Sequence, residues 1–222
     1  SSMASDNASC CLIEVMGRVA GWIAAGTVLA KRSPNDAPHL ILLPEIPLDE
    51  EAFLKKVQET IAINKYCVVV VGEGLRNAAG QEIAADRRAV DSFGHPVLSG
   101  AAERVGEIVS EKLKTRTRTV KLGYAQRAAA HCASEVDVLE AAACGEAAVR
   151  AAVEGKSGFM VKIVRMQTNP YRCNIDVQDL KDIANAERLV PRDWISADGF
   201  LPNETFVEYA RPLIDGQLLL PM

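Results

Sequence analysis

The chain has 222 residues, with 25 Lys+Arg against 29 Asp+Glu and a formal net charge of −4. Hydrophobic residues make up 49% and charged residues 24%, a balance that excludes collagen-like, disordered and disulfide-scaffold classes and suits one large domain or two small ones. No apolar run approaches the ~20 residues of a membrane span, and a mildly acidic chain has no general attraction for nucleic acid.

Six cysteines stand at 10, 11, 67, 132, 144 and 173 without C-x-x-C or Cys/His ligand spacing, so they read as reduced thiols of a cytoplasmic protein. The start, SSMASDNASCC, lacks the basic end and apolar middle of a secretory signal. It also lacks an initial Met, which suggests a chain beginning inside a longer one.

Residues 10–16 (CCLIEVM) predict a strand, followed by Gly17-Arg18 and an Ala-rich helix over about 19–30. A Ser-Pro-Asn-Asp-Ala-Pro loop leads to the apolar run 39–44, expected to be a strand covered on both faces. Asp49-Glu50-Glu51 starts a helix carrying Phe53, Leu54, Val57 and Ile61 at helical spacing. YCVVVV at 66–71 is the strongest buried-strand signal and runs into Gly72-Glu73-Gly74. Residues 76–97 read as a polar loop or short helix over the site, and 101–114 as a helix. TRTRTVKL at 115–122 alternates as a strand with Arg116 and Arg118 on one face. A long Ala-rich helix over 136–154 and a strand over 159–165 follow, then a helix near 177–187.

Alternating strands and helices predict an α/β fold with a doubly wound, mostly parallel sheet. The expected division is an α/β domain over 1–165 and an extension over 166–222 that packs on another domain.

Ligands gather at the carboxyl ends of such strands, and three segments are expected there: Met16-Gly17-Arg18, Gly72-Glu73-Gly74, and GYAQR with Tyr124 and Arg127. The first combines a glycine with a guanidinium at an expected helix start, a combination suited to phosphate, although plain packing is the commoner use of such a turn. Glu73 suits sugar hydroxyls or a solvated turn. Arg116, Arg118 and Arg127 with the Tyr124 hydroxyl form either a phosphate clamp or a soluble strand edge.

There is no G-x-G-x-x-G after the first strand, no G-x-x-x-x-G-K-[ST] and no G-x-S-x-G. His39, His95 and His131 show no ligand spacing and read as structural.

Taken together, IEVMGR (13–18) with Gly21, LLPE (42–45), VVVVGEG (68–74), LGYAQR (122–127) and AVRAAVEGKSGFMV resemble the phosphofructokinase family over roughly residues 1–165. NPYRCNI and VPRDWIS are similar to its pyrophosphate-using branch. The resemblance implies that Met16, Gly17 and Arg18 bind sugar phosphate, with Arg18 near the phosphoryl group in flight. Glu73 would accept sugar hydroxyls. Tyr124, Ala125, Gln126 and Arg127 would hold the 6-phosphate, and Arg118 would serve a neighbouring subunit of a homodimer or homotetramer. Tyr124, where ATP-using members commonly have His, favours pyrophosphate over ATP as donor.

Two departures stand out. Ser9 occupies a position where many members have an arginine, and no segment here matches the family's glycine-rich donor loop or its T-I-D-N-D aspartate. The chain thus resembles the sugar-phosphate half of a fructose 6-phosphate phosphotransferase, with Mg²⁺ held mainly by donor phosphates and the other half. A non-catalytic sugar-phosphate module or regulatory subunit, and a plain α/β structural domain, are the alternatives.

Overall fold

The computed structural model describes residues 9–90, 96–98 and 100–214. β1 (Ser9–Val15), β2 (Leu40–Leu42), β3 (Tyr66–Gly72) and β6 (Arg116–Lys121) form one sheet in the order β2-β3-β1-β6, every neighbouring pair parallel. Cys10, Leu12, Cys67, Val69 and Val71 share a core cluster with Phe53 and Val57 of α2 (Glu50–Asn64) and with Val105 and Val109 of α3 (Ala101–Leu113). Ile41 and Val70, one residue out of phase, are also buried, and α1 (Trp22–Gly26) packs against their strands. Both sheet faces are therefore covered, as a parallel sheet requires.

Local chemistry explains the element ends. Asp49 caps α2 by accepting from the Ala52 N–H at 3.0 Å. Gly106 lets α3 approach the sheet, because a Cβ there would lie 3.3 Å from Leu12 Cδ1. Glu14, in β1 and only 8% exposed, accepts from the Ala102 N–H at 3.0 Å, so its carboxylate meets the positive end of α3.

Three expectations are corrected. The helix expected over 19–30 is confined to α1, followed by a 3₁₀ turn at Thr27–Ala30. Within 76–97, backbone strands β4 (Ala85–Val90) and β5 (Pro96–Leu98) pair antiparallel instead of forming a loop or helix; 91–95, including His95, lie outside the described residues. The expected helix near 177–187 is instead the end of β8 (Arg172–Asp179) and a 3₁₀ turn at Leu180–Asp182. Cys173, Ile175 and Val177 alternate with polar partners, a period of two that pairs with β7 (Phe159–Gln167) and cannot serve a helix.

Packing divides the chain into two units. The first runs to Gln126 and takes in Arg188–Val207; the second comprises Arg127–Glu187 and the residues from Glu208 on. The boundary expected at residue 165 falls within β7, inside the second unit. In the first unit the returning segment joins the sheet: Ile41 N–H donates to the Phe200 carbonyl at 2.8 Å, and Lys56 pairs with Asp198 at 3.0 Å. Trp22 donates its indole N–H to the Arg188 carbonyl at 2.6 Å and meets Trp194 edge-on at 6.1 Å. In the second unit, α5 (Glu135–Val153) touches the β7–β8 hairpin, and Tyr171 donates to Glu140. Arg165 lies between the rings of Tyr171 and Tyr209, 4.8 and 4.0 Å from their centroids.

Among the described residues no helix is long and apolar enough to cross a membrane, and all six cysteines are free thiols.

His39 is buried and its Nδ1 accepts from the Val68 N–H at 2.9 Å. Burial first, and the Lys31 charge second, hold its protonation below the usual value of 6.5. The neutral ring therefore adds stability that is fully present above that value and is lost as pH falls through the lowered one. Urea midpoints taken between about pH 7.5 and 5.5 should fall on acidification, and His39→Gln should flatten that decline.

Candidate functional site

All four sheet strands are parallel, so their carboxyl ends share one edge. Because β1 lies between β3 and β6, the segment leaving β1 is flanked by the two segments leaving its neighbours. Val15 stands opposite Gly72, and Glu14 opposite Lys121. The pairing extends past the strands: Glu73 N–H donates to the Val15 carbonyl at 3.1 Å, and Leu122 N–H to the Glu14 carbonyl at 3.4 Å.

Side chains complete the junction. Met16 N–H donates to Gln126 Oε1 at 3.0 Å, and Gly17 N–H to Glu73 Oε1 at 3.2 Å. Residues 110 and 56 positions apart are thereby joined at one short turn. Gly17 has φ +135°, a left-handed value that favours glycine. Gly74 is needed for a different reason: a Cβ there would fall 1.6 Å from the Arg18 carbonyl oxygen. The Glu-Gly pair after β3 thus receives the turn, its carboxylate gripping one amide and its glycine making room for the next carbonyl.

The structure consequently brings together Met16, Gly17, Arg18, Glu73 and Gln126, all partly buried. Tyr124, 78% exposed, and Ala125 precede Gln126 at the same edge. α4 (Ala125–Ala128) contains Arg127, which is exposed and opens the second unit. Arg118 stands apart, opposite Cys11. Cys11 is five residues before Met16, roughly 16 Å along a strand. Ser9 is fully buried at the start of β1 and supplies no donor at this edge.

The helix-end phosphate site expected after Arg18 is not formed. α1 starts at Trp22, and the Gly21 N–H before it is taken by Glu45 Oε1 at 2.8 Å. Among the described residues no three His, Cys, Asp or Glu side chains gather to hold a metal.

The phosphofructokinase family pattern matches residues 1–152. The chain belongs to this family. A pyrophosphate–fructose 6-phosphate 1-phosphotransferase of Methylococcus capsulatus is 42% identical over 216 residues, which is 97% of this chain and 51% of that protein. Its counterpart in Halomonas elongata is 40% identical with the same coverage. The crystal structure of a pyrophosphate-dependent phosphofructokinase from Marinobacter aquaeolei superimposes with a TM-score of 0.84 at 37% identity, covering 100% of this chain and 52% of that one. The chain spans about half the length of these relatives.

Two contacts at this edge are not legible in the sequence. Gln126 holds the Met16 amide, in addition to the substrate role that the resemblance implies for it. Glu45 holds the Gly21 amide, and a Pro-Glu pair directly after an apolar strand is the signal for a carboxylate at the sheet edge.

Gly74→Ala should force Arg18 away from the β3 turn. Overpacking of this kind costs about 1–3 kcal/mol, on the order of 2–12 °C in melting temperature for a chain of this size. Amide exchange at Gly17 and Arg18 should quicken in the same variant; unchanged melting and exchange would contradict the close approach.

Proposed function

We propose that this chain provides the sugar-phosphate side of a phosphofructokinase that transfers a phosphoryl group from pyrophosphate to fructose 6-phosphate. The observation that carries the reading is the convergence of the 16–18, 73–74 and 124–126 segments, tied by the Met16–Gln126 and Gly17–Glu73 hydrogen bonds. The names and identities of the relatives support the donor, as does Tyr124.

In this reaction the 1-hydroxyl oxygen of the sugar attacks a pyrophosphate phosphorus. The hydroxyl proton passes to a base, and inorganic phosphate leaves. The base is assigned to an aspartate that has no counterpart among these 222 residues. Phosphoryl transfer depends mainly on positioning and on stabilising charge spread over the equatorial oxygens. Arg18 is assigned to that charge: its turn is held at Met16 and Gly17, so its backbone needs little rearrangement at the moment of transfer. Glu73 divides its carboxylate, giving Oε1 to Gly17 and its second oxygen to sugar hydroxyls. Met16 and Gly17 line the substrate. Tyr124, Ala125, Gln126 and Arg127 are assigned to the 6-phosphate end, with Gln126 also fixing Met16. Arg118, distant along β6, is assigned to the site of an adjoining subunit in a homodimer or homotetramer. Mg²⁺, when bound, would neutralise charge on the donor phosphates, and no residue of this chain is assigned to hold it. A cytoplasmic location accords with six free thiols.

The product of the complete reading frame should convert fructose 6-phosphate to the 1,6-bisphosphate with pyrophosphate, and far more slowly with ATP. Activity with neither donor, alongside retained sugar-phosphate binding, would instead identify a non-catalytic binding module.

Arg127→Ala should remove a charge-assisted contact worth about 1.5–3 kcal/mol, weakening fructose 6-phosphate binding by roughly ten- to a hundredfold. The KM for pyrophosphate should barely move. Unchanged sugar-phosphate affinity would leave Arg127 as a surface residue.

A further inference from the structure

Glu45 follows β2 at the carboxyl edge of the sheet, and its Oε1 accepts two backbone hydrogen bonds, from Gly21 N–H at 2.8 Å and Val190 N–H at 2.9 Å. These donors come from two distant segments, the end of the Arg18 turn and the returning C-terminal segment. The fit is close. A Cβ on Gly21 would lie 2.7 Å from Glu45 Oε2, 2.8 Å from Leu43 Cδ2 and 3.0 Å from Pro44 Cδ. Oε2 itself is buried without a hydrogen-bond partner, so the two amides on Oε1 are what compensate this side chain's desolvation.

The consequence lies three residues away, at Arg18. Gln126 and Glu73 hold the beginning of the turn at Met16 and Gly17. Glu45 holds its end at Gly21. With one end released, rotation at Gly17, already at φ +135°, would swing the Arg18 backbone relative to Glu73. A misplacement of about 1 Å at a reacting centre costs on the order of a hundredfold. Glu45 is outside the residues assigned to substrate, so its effect on turnover is exerted through the segments it holds, of which the 16–21 turn carries Arg18.

We propose that Glu45 is a positioning residue for Arg18, fixing the far end of the substrate turn and tying it to the segment that begins at Arg188. The catalytic part of this inference rests on the sugar-phosphate reading above; the anchoring part is tested without it.

The experiment compares Glu45→Ala and Glu45→Gln in the full chain of the enzyme. Gln keeps an acceptor oxygen for both amides; Ala removes it. Amide exchange at Arg18 and Gly21 in the ligand-free protein should accelerate at least about tenfold in the Ala variant, with the Gln variant within about threefold of wild type. Equal protection in all three proteins would overturn the anchoring. With pyrophosphate saturating, Glu45→Ala should raise the fructose 6-phosphate KM or lower kcat by at least about tenfold, leave the pyrophosphate KM within about twofold, and be largely rescued by Gln. Kinetic constants unchanged in a variant whose exchange is faster would overturn the positioning role, as would equal losses for both substrates. A wild-type enzyme that does not phosphorylate fructose 6-phosphate would defeat the functional reading instead, with the exchange measurement still deciding whether Glu45 anchors the turn.

Discussion

Backbone amides that leave a strand without entering a helix must find acceptors elsewhere, and residues 16–21 of this chain face that requirement at the centre of the sheet edge. Three side-chain carbonyl or carboxylate oxygens meet it: Gln126 at Met16, Glu73 at Gly17 and Glu45 at Gly21. Each comes from a segment following a different strand, β6, β3 and β2, so the geometry of the turn depends on the order of the whole sheet. Had β1 been an edge strand, only one neighbouring segment could have reached the turn. The family's characteristic residues are widely spaced in the chain for this reason. Their separation reflects strand insertion, and their proximity reflects parallel register.

Much of this was readable in the sequence. The apolar runs at 39–44 and 66–71 announce strands buried on both faces, and the observed sheet covers them with α1 on one side and α2 and α3 on the other. Gly17 is read as a position of close approach, whereas the contact of Gly74 with the Arg18 carbonyl emerges only in the structure. Less readable was the extent of α1. Its Ala-rich composition favours helix from 19 onward, but the contacts of Gly21 with Glu45, Leu43 and Pro44 hold residues before Trp22 in a turn. That is a tertiary restraint overriding local propensity. The hairpin of β7 and β8 was half-visible, because Val177 begins an apolar and polar mixture that suits a helix as readily as a strand over a short window. The bond of Gln126 to Met16 was not readable: nothing in a one-dimensional reading reveals that its carbonyl oxygen meets a backbone amide 110 residues away.

Buried or partly buried acids recur near the carboxyl edge, and backbone donors meet both Glu14 and Glu45. Glu14 accepts from Ala102, with Lys121 4.0 Å away, while Glu45 accepts from Gly21 and Val190. Amides make good partners here because they add no rotamer entropy and carry no desolvation penalty comparable with that of a second buried ion.

The indole of Trp22 bonds a carbonyl 166 residues further along, and Phe200 completes the hydrogen bonding of β2 from a similar distance. During synthesis, the strands and helices of the first unit are made well before these last contributors emerge. At about 5–20 residues per second, the interval lasts on the order of ten seconds. Through that time α1 and the outer edge of β2 lack their final cover, while Arg127–Glu187, one part of the second unit, are being made. The order in which this protein is built therefore differs from the order in which it closes: the partners of the 16–21 turn have been made once Gln126 is added, while α1 and β2 receive their last hydrogen bonds only when Arg188–Val207 returns.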